Sequence, residues 1–168
     1  MRPARRAVRS SSAARSHDAS GRRFTILASE FHPAIARALI DGASGVLQRH
    51  GASAGAITVV RVPGAFELPV VAARLAAASP VPDAIIAVGC LIRGETPQYE
   101  VIAHAVADGL SHVSVTTGVP VTFGIIVADT LAQAKARAGG RVGNRGVEAA
   151  LAALAVLRLL RRVEHASP

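Results

Sequence analysis

Four short apolar runs divide the chain, and the segments between them carry apolar residues at a different period. The runs are Phe24–Ser29, Ile57–Val62, Asp83–Leu91 and Pro120–Val127. They are near-continuous rather than alternating, as expected of strands buried on both faces of a sheet. The first intervening segment opens at Pro33 and places Ile35, Leu39 and Val46 beside Ala36, Ile40, Ala43 and Leu47. That spacing predicts a helix, closed by the cation and glycine of His50-Gly51. A second helix is predicted from about Phe66 to Ala78, after the breaker Pro63-Gly64-Ala65. A third runs from Pro97 to about Thr116, with Ile102, Val106, Leu110 and Val113 on one face. Thr96 suits its N-cap and Pro97 its first helical position. Two more helices are predicted, at about 130–138 and 145–162.

Strands alternating with helices predict a parallel sheet covered on both sides. With four strands and right-handed crossovers, the economical architecture is a three-layer αβα sandwich with a four-stranded parallel sheet, of flavodoxin-like character. A single domain is expected over residues 23–168, with no interior linker or repeat.

Charge changes the picture at one end only. The net charge is +8, but residues 1–23 carry seven arginines against one acid, Asp18. The basic character belongs to a tail, residues 1–22, which mixes Arg, Ser and Ala without apolar periodicity and is expected to be disordered. An organelle transit peptide is the second reading of that tail and a nucleic-acid arm the third. No aromatic residue interleaves with its arginines before Phe24, so a stacking platform for single strands is missing. No apolar run approaches the ~18 residues of a membrane span, and one cysteine, Cys90, allows no intrachain disulfide. A cytoplasmic protein is expected, or a plastid one if the tail is a transit peptide; neither a nucleic-acid nor a membrane partner is expected.

Ligands of open α/β sheets bind beyond the carboxyl ends of the strands. There the chain places Phe31-His32, Ala65-Phe66-Glu67 and Arg93-Gly94-Glu95-Thr96. Two of only four phenylalanines fall in these loops, which suits a planar ring sandwiched and hydrogen-bonded at its edges, although each Phe is also a plausible core cap. The Gly94 loop leads to a helix N-terminus beside the Arg93 guanidinium, a natural anion site, or else an ordinary strand-to-helix loop. A cationic, glycine-flanked stretch, 135–146, reads as a phosphate site or a solvated turn. No Walker or Gly-x-Gly-x-x-Gly loop follows a strand. The histidines lack metal-site spacing, and Cys90 reads as a buried residue at a strand end.

Three motifs in register, Pro63–Pro69, Ile92–Thr96 and Gly143-Asn144-Arg145-Gly146, closely resemble those of 6,7-dimethyl-8-ribityllumazine synthases over about residues 24–162. The resemblance implies a transferase of riboflavin biosynthesis. It would condense 5-amino-6-ribitylaminouracil with 3,4-dihydroxy-2-butanone 4-phosphate, without metal or organic cofactor. It implies that Phe31 stacks on the pyrimidine and that Ala65, Phe66 and Glu67 hold the ribityl chain. Leu91 and Ile92 would join the substrate pocket, Gly94, Glu95 and Thr96 would cradle the phosphate, and Arg137 would bind it as well. Phe123 is expected from a neighbouring subunit, and Glu148 is expected to orient Arg137. A homopentamer follows, with a sixty-subunit shell favoured by the compact 137–146 segment, and riboflavin synthase is a candidate partner.

The chain departs from the family at Gln98, where a proton-transferring histidine is usual. Glutamine cannot titrate near neutral pH. Gln98, His32 and Arg137 are therefore the candidate catalytic residues, with His32 the substitute. His104, six residues beyond Gln98, lies roughly 240° around the helix and points elsewhere. A catalytically weakened scaffold and a lumazine- or flavin-binding module are the alternatives that Gln98 keeps open.

Overall fold

The computed structural model describes residues 18–166. Its main sheet holds β1 (Phe24–Ser29), β2 (Ile57–Val62), β3 (Ala84–Ile92) and β4 (Val121–Ala128), in the order β2-β1-β3-β4. All three pairings are parallel. The helices are α1 (Pro33–Arg49), α2 (Leu68–Ala76), α3 (Gln98–Thr117), α4 (Leu131–Ala136) and α5 (Arg145–Ala166).

The strand period of two divides the core into two layers. Phe24, Ile26 and Ala28 of β1, with Ile86 and Val88 of β3, pack on the side of α1 and α5. Leu27, Ile85 and Ala87 point the opposite way, towards α2 and α3. Every residue of β1 is buried, which is why the central strands carry no polar alternation. The expected three-layer sandwich with its four-stranded parallel sheet is what the structure contains.

Between α1 and α5 the backbones meet closely. Asn144 accepts from the N–H groups of Gly146 and Val147 through Oδ1, capping α5. Its Nδ2 donates to the Ala38 carbonyl of α1, at 2.9 Å. A Cβ on Gly146 would overlap the Leu39 carbonyl oxygen, and one on Gly42 would lie 2.6 Å from Asn144 Oδ1. The Gly143-Asn144-Arg145-Gly146 motif is thus a helix-start clamp.

Several boundaries differ from expectation. The segment expected to form a helix from Phe66 begins as a 3-10 turn, Ala65–Glu67, before α2. The stretch read as a Gly-Gly turn is a short antiparallel hairpin, β5 (Ala138–Gly140) with β6 (Gly143–Asn144), whose Gly139 and Gly143 take positive φ. The expected tail through residue 22 is corrected at its inner end. Ala19 is fully buried, and its N–H donates to the His50 carbonyl at 2.8 Å. Arg22 is buried too, and that desolvation holds its guanidinium below its ordinary range. Residues 1–17 of the tail lie outside the described residues. Among the described residues, no helix is long and apolar enough to cross a membrane.

Candidate active site

A cavity of about 710 Å³ opens at the carboxyl ends of β1, β2 and β3. Each wall follows from a local feature of the chain. After β1, Glu30 donates its N–H to the Val62 carbonyl and its carboxylate pairs with Arg61 at 3.2 Å. This ties the β1 exit to β2 and delivers Phe31 and His32 to the rim. Phe31 is 75 % exposed and Phe66, across the opening, 62 % exposed, so both rings stand free to meet a ligand face. Beneath Phe66, Glu67 Oε2 accepts from the Gly64 N–H at 2.9 Å and holds the 3-10 turn.

The floor is the end of β3, Cys90-Leu91-Ile92. Burial pushes the Cys90 thiol up to about 11, so it stays protonated at neutral pH, as its reading as a buried strand-end residue anticipates. Gly94 and Thr96 continue the wall, followed by Gln98, Tyr99, Val101 and Ile102 from the first turns of α3. The last three were not singled out from sequence. Val101 and Ile102 follow Gln98 at i+3 and i+4 on α3, a signal that could have found them; Tyr99 at i+1 carried none.

The start of α3 corrects the expected cap. Pro97 occupies the N-cap with φ −73°, the first helical residue is Gln98, and no side chain caps the helix. Proline has no N–H to leave unpaired, and its fixed φ suits the last residue before a helix. The Thr96 hydroxyl therefore takes no part in capping; the Glu100 and Val101 N–H groups donate to the Pro97 carbonyl, which leaves the Gln98 and Tyr99 N–H groups of the first turn for a ligand or solvent.

Arg93 does not join this wall. Its N–H continues the sheet ladder to the Ala128 carbonyl, and its guanidinium pairs with Asp129 at 3.6 Å. Glu95 is exposed and does not line the cavity. Arg137 caps the end of α4 in a separate cavity of about 260 Å³, shared with Arg141. Phe123 stands half-exposed on the edge strand β4. Glu148 does not orient Arg137: its carboxylate pairs with the Arg145 guanidinium one helical turn back, where i, i+3 geometry brings opposite charges together. Within one chain, then, Phe31, His32, Ala65, Phe66 and Glu67 meet the residues of β3 and α3 around one cavity. Phe123, Arg137 and Glu148 lie outside it.

Sheet order and cavity position together define an open α/β domain that binds small molecules at the carboxyl edge of a parallel sheet. The family model described as 6,7-dimethyl-8-ribityllumazine synthase matches residues 21–161. The 6,7-dimethyl-8-ribityllumazine synthase of Aquifex aeolicus (strain VF5) is 48% identical over 143 residues, 85% of this chain and 92% of that protein. The enzyme of the same name from Nitratidesulfovibrio vulgaris (strain DSM 19637 / Miyazaki F) is 44% identical over 146 residues, 87% and 93% of the two chains. The chain belongs to the 6,7-dimethyl-8-ribityllumazine synthase family.

Proposed function

We propose that this chain condenses 5-amino-6-ribitylaminouracil with 3,4-dihydroxy-2-butanone 4-phosphate, giving 6,7-dimethyl-8-ribityllumazine, phosphate and water, as a step of riboflavin biosynthesis. The observation that carries the reading is the convergence, in one cavity, of three kinds of recognition. Exposed Phe31 offers a stacking face for a pyrimidine. Ala65, Phe66 and Glu67 offer backbone groups and a carboxylate for a polyol, and Leu91 and Ile92 an apolar wall. Gly94, Glu95 and Thr96 lead into uncapped N–H groups at the start of α3, which suit a phosphate.

The second half of the site is assigned to a neighbouring copy. Phe123 and Arg137 sit outside the cavity of their own chain, and a symmetric ring would bring them to the cavity of the next. Arg137 then supplies the cation for the phosphate, and Glu148 acts by holding Arg145 beside it. This reading proposes a homopentamer, and a sixty-subunit shell built from twelve of them. A cytoplasmic location goes with it, because a phosphorylated substrate is used in the compartment where it is made.

Incubation of the purified protein with both substrates is expected to release lumazine, followed by its absorbance and fluorescence, and phosphate in equal amounts. No lumazine from the pair would overturn the reading in favour of a binding module or scaffold. Light scattering on the same preparation is expected to give an assembly of five chains or a multiple of five. A fully active monomer would remove the shared site.

A further inference from the structure

We infer that His32 is the residue that moves the proton in this chain's reaction, with Gln98 a neutral hydrogen-bonding partner at the same cavity. The inference rests on the reaction proposed above. Once the amine has replaced the ketone oxygen, phosphate leaves with the electron pair of its C–O bond. The neighbouring carbon gives up its proton, and the C–H pair becomes the new C=C bond. A base accepts that proton and returns it to the terminal carbon as the enol becomes a ketone, while the enol hydroxyl proton passes to the departed phosphate, so the base is regenerated. The second amine then closes the ring with loss of water.

The groups around the cavity narrow the choice of that base. Gln98 does not titrate. Cys90 stays a thiol, its ionisation pushed up to about 11 by burial. Tyr99 donates its hydroxyl to Glu100 at 2.8 Å, and that bond holds it above its ordinary value. Glu67 is engaged with the Gly64 N–H and is assigned in the proposed reaction to the polyol. Among the described side chains that this chain contributes to the cavity, His32 is left, and an imidazole can accept a proton at one ring nitrogen and donate one from the other.

Geometry supports the same residue. The His32 carbonyl accepts from the Ala36 N–H at 2.9 Å, fixing its backbone at the start of α1. Its ring meets Phe31 edge to face, centroids 5.2 Å apart and planes at 78°. Among the described residues its ring nitrogens have no hydrogen-bond partner, and both remain available to a substrate. The adjacent carboxylate, Glu30, is taken up by Arg61. His104, the nearest histidine on α3, turns away and bonds the Glu100 carbonyl through Nδ1 at 2.8 Å.

The test compares wild type, His32→Gln, His32→Ala, Gln98→His and the double variant His32→Ala with Gln98→His. Steady-state lumazine formation is measured for each from pH 5 to 9, and lumazine binding is measured by fluorescence. For His32→Gln and His32→Ala, kcat is expected to fall by ~10²-fold or more. KM for both substrates and lumazine affinity should stay within about threefold, and the acidic limb of the wild-type kcat profile should vanish. Turnover should return in the double variant. A kcat within twofold of wild type, or an acidic limb retained in both His32 variants, removes His32 from the chemistry. Loss of lumazine binding alongside kcat assigns it to binding and overturns the inference equally. A wild type that forms no lumazine sinks the reaction itself, an outcome distinct from an active wild type with an indifferent His32.

Discussion

Gly146→Ala is expected to destabilise the protein by about 3 kcal/mol, the largest effect of any single methyl group added to this chain. The new Cβ falls on the Leu39 carbonyl oxygen, a backbone atom inside α1 that cannot swing aside as a side-chain tip can. Relief requires α1 and α5 to separate, which loosens the Asn144 bridge to Ala38 and the apolar layer of Ile35, Leu39, Ala149 and Ala153 beneath it. For a domain of this size the midpoint of thermal unfolding should fall by ~6–12 °C. Gly45→Ala is the control, because its Cβ would meet only the mobile guanidinium of Arg49, at 3.1 Å. Removing a helical glycine there should instead stabilise by about 0.5–1 kcal/mol. Urea unfolding of both variants checks the pair. Equal, small effects would show that the helices can part freely, contrary to the close approach described above.

Glu67→Ala is expected to raise KM for the ribitylaminouracil by ~10–100-fold, the range that corresponds to losing a hydrogen bond to a charged acceptor. It should also loosen the 64–67 turn, because the Gly64 N–H loses its acceptor. Glu67→Gln separates the two roles. An amide oxygen can still accept from Gly64, so folding stability should be kept while the carboxylate is gone. A raised KM in both variants, with lost stability in Glu67→Ala alone, places the charge on the substrate and the oxygen on the turn. Unchanged KM in Glu67→Ala would take Glu67 out of the site. In neither variant should kcat fall as far as it does on removal of His32.

The same residues show how far the sequence could be read. β1 and β3 were legible because burial on both faces leaves an uninterrupted apolar run, whereas the order β2-β1-β3-β4 was not, because an apolar run does not say which strand it pairs with. The hairpin of β5 and β6 was not legible. Glycine-rich strands of three and two residues carry no side-chain alternation, so they look like a turn. The start of α3 was misplaced by one residue because threonine-proline fits two arrangements, and only the backbone torsions of Pro97 decide between them. Around the cavity, residues on loops after β1, β2 and β3 were found because topology gathers the carboxyl ends of parallel strands. Glu148 was assigned the wrong partner even though Arg145 lies three residues earlier on the same helix. Local i, i+3 pairing outweighed the longer-range contact that the resemblance suggested. The motif 143–146 looked like chemistry, yet its conspicuous residues are conspicuous because two helix backbones leave no room for anything else.

The proline at the head of α3 has a consequence for ligand affinity that geometry alone does not express. A flexible loop that closes around an anion gives up backbone freedom at the moment of binding, roughly 1–2 kcal/mol for each residue fixed. Pro97 has surrendered its φ rotation before any ligand arrives, and its ring also restricts Thr96 to extended backbone. Much of the ordering of the proposed phosphate cradle is therefore completed when the chain folds. The cradle is preorganised, and more of each N–H contact it makes appears as affinity.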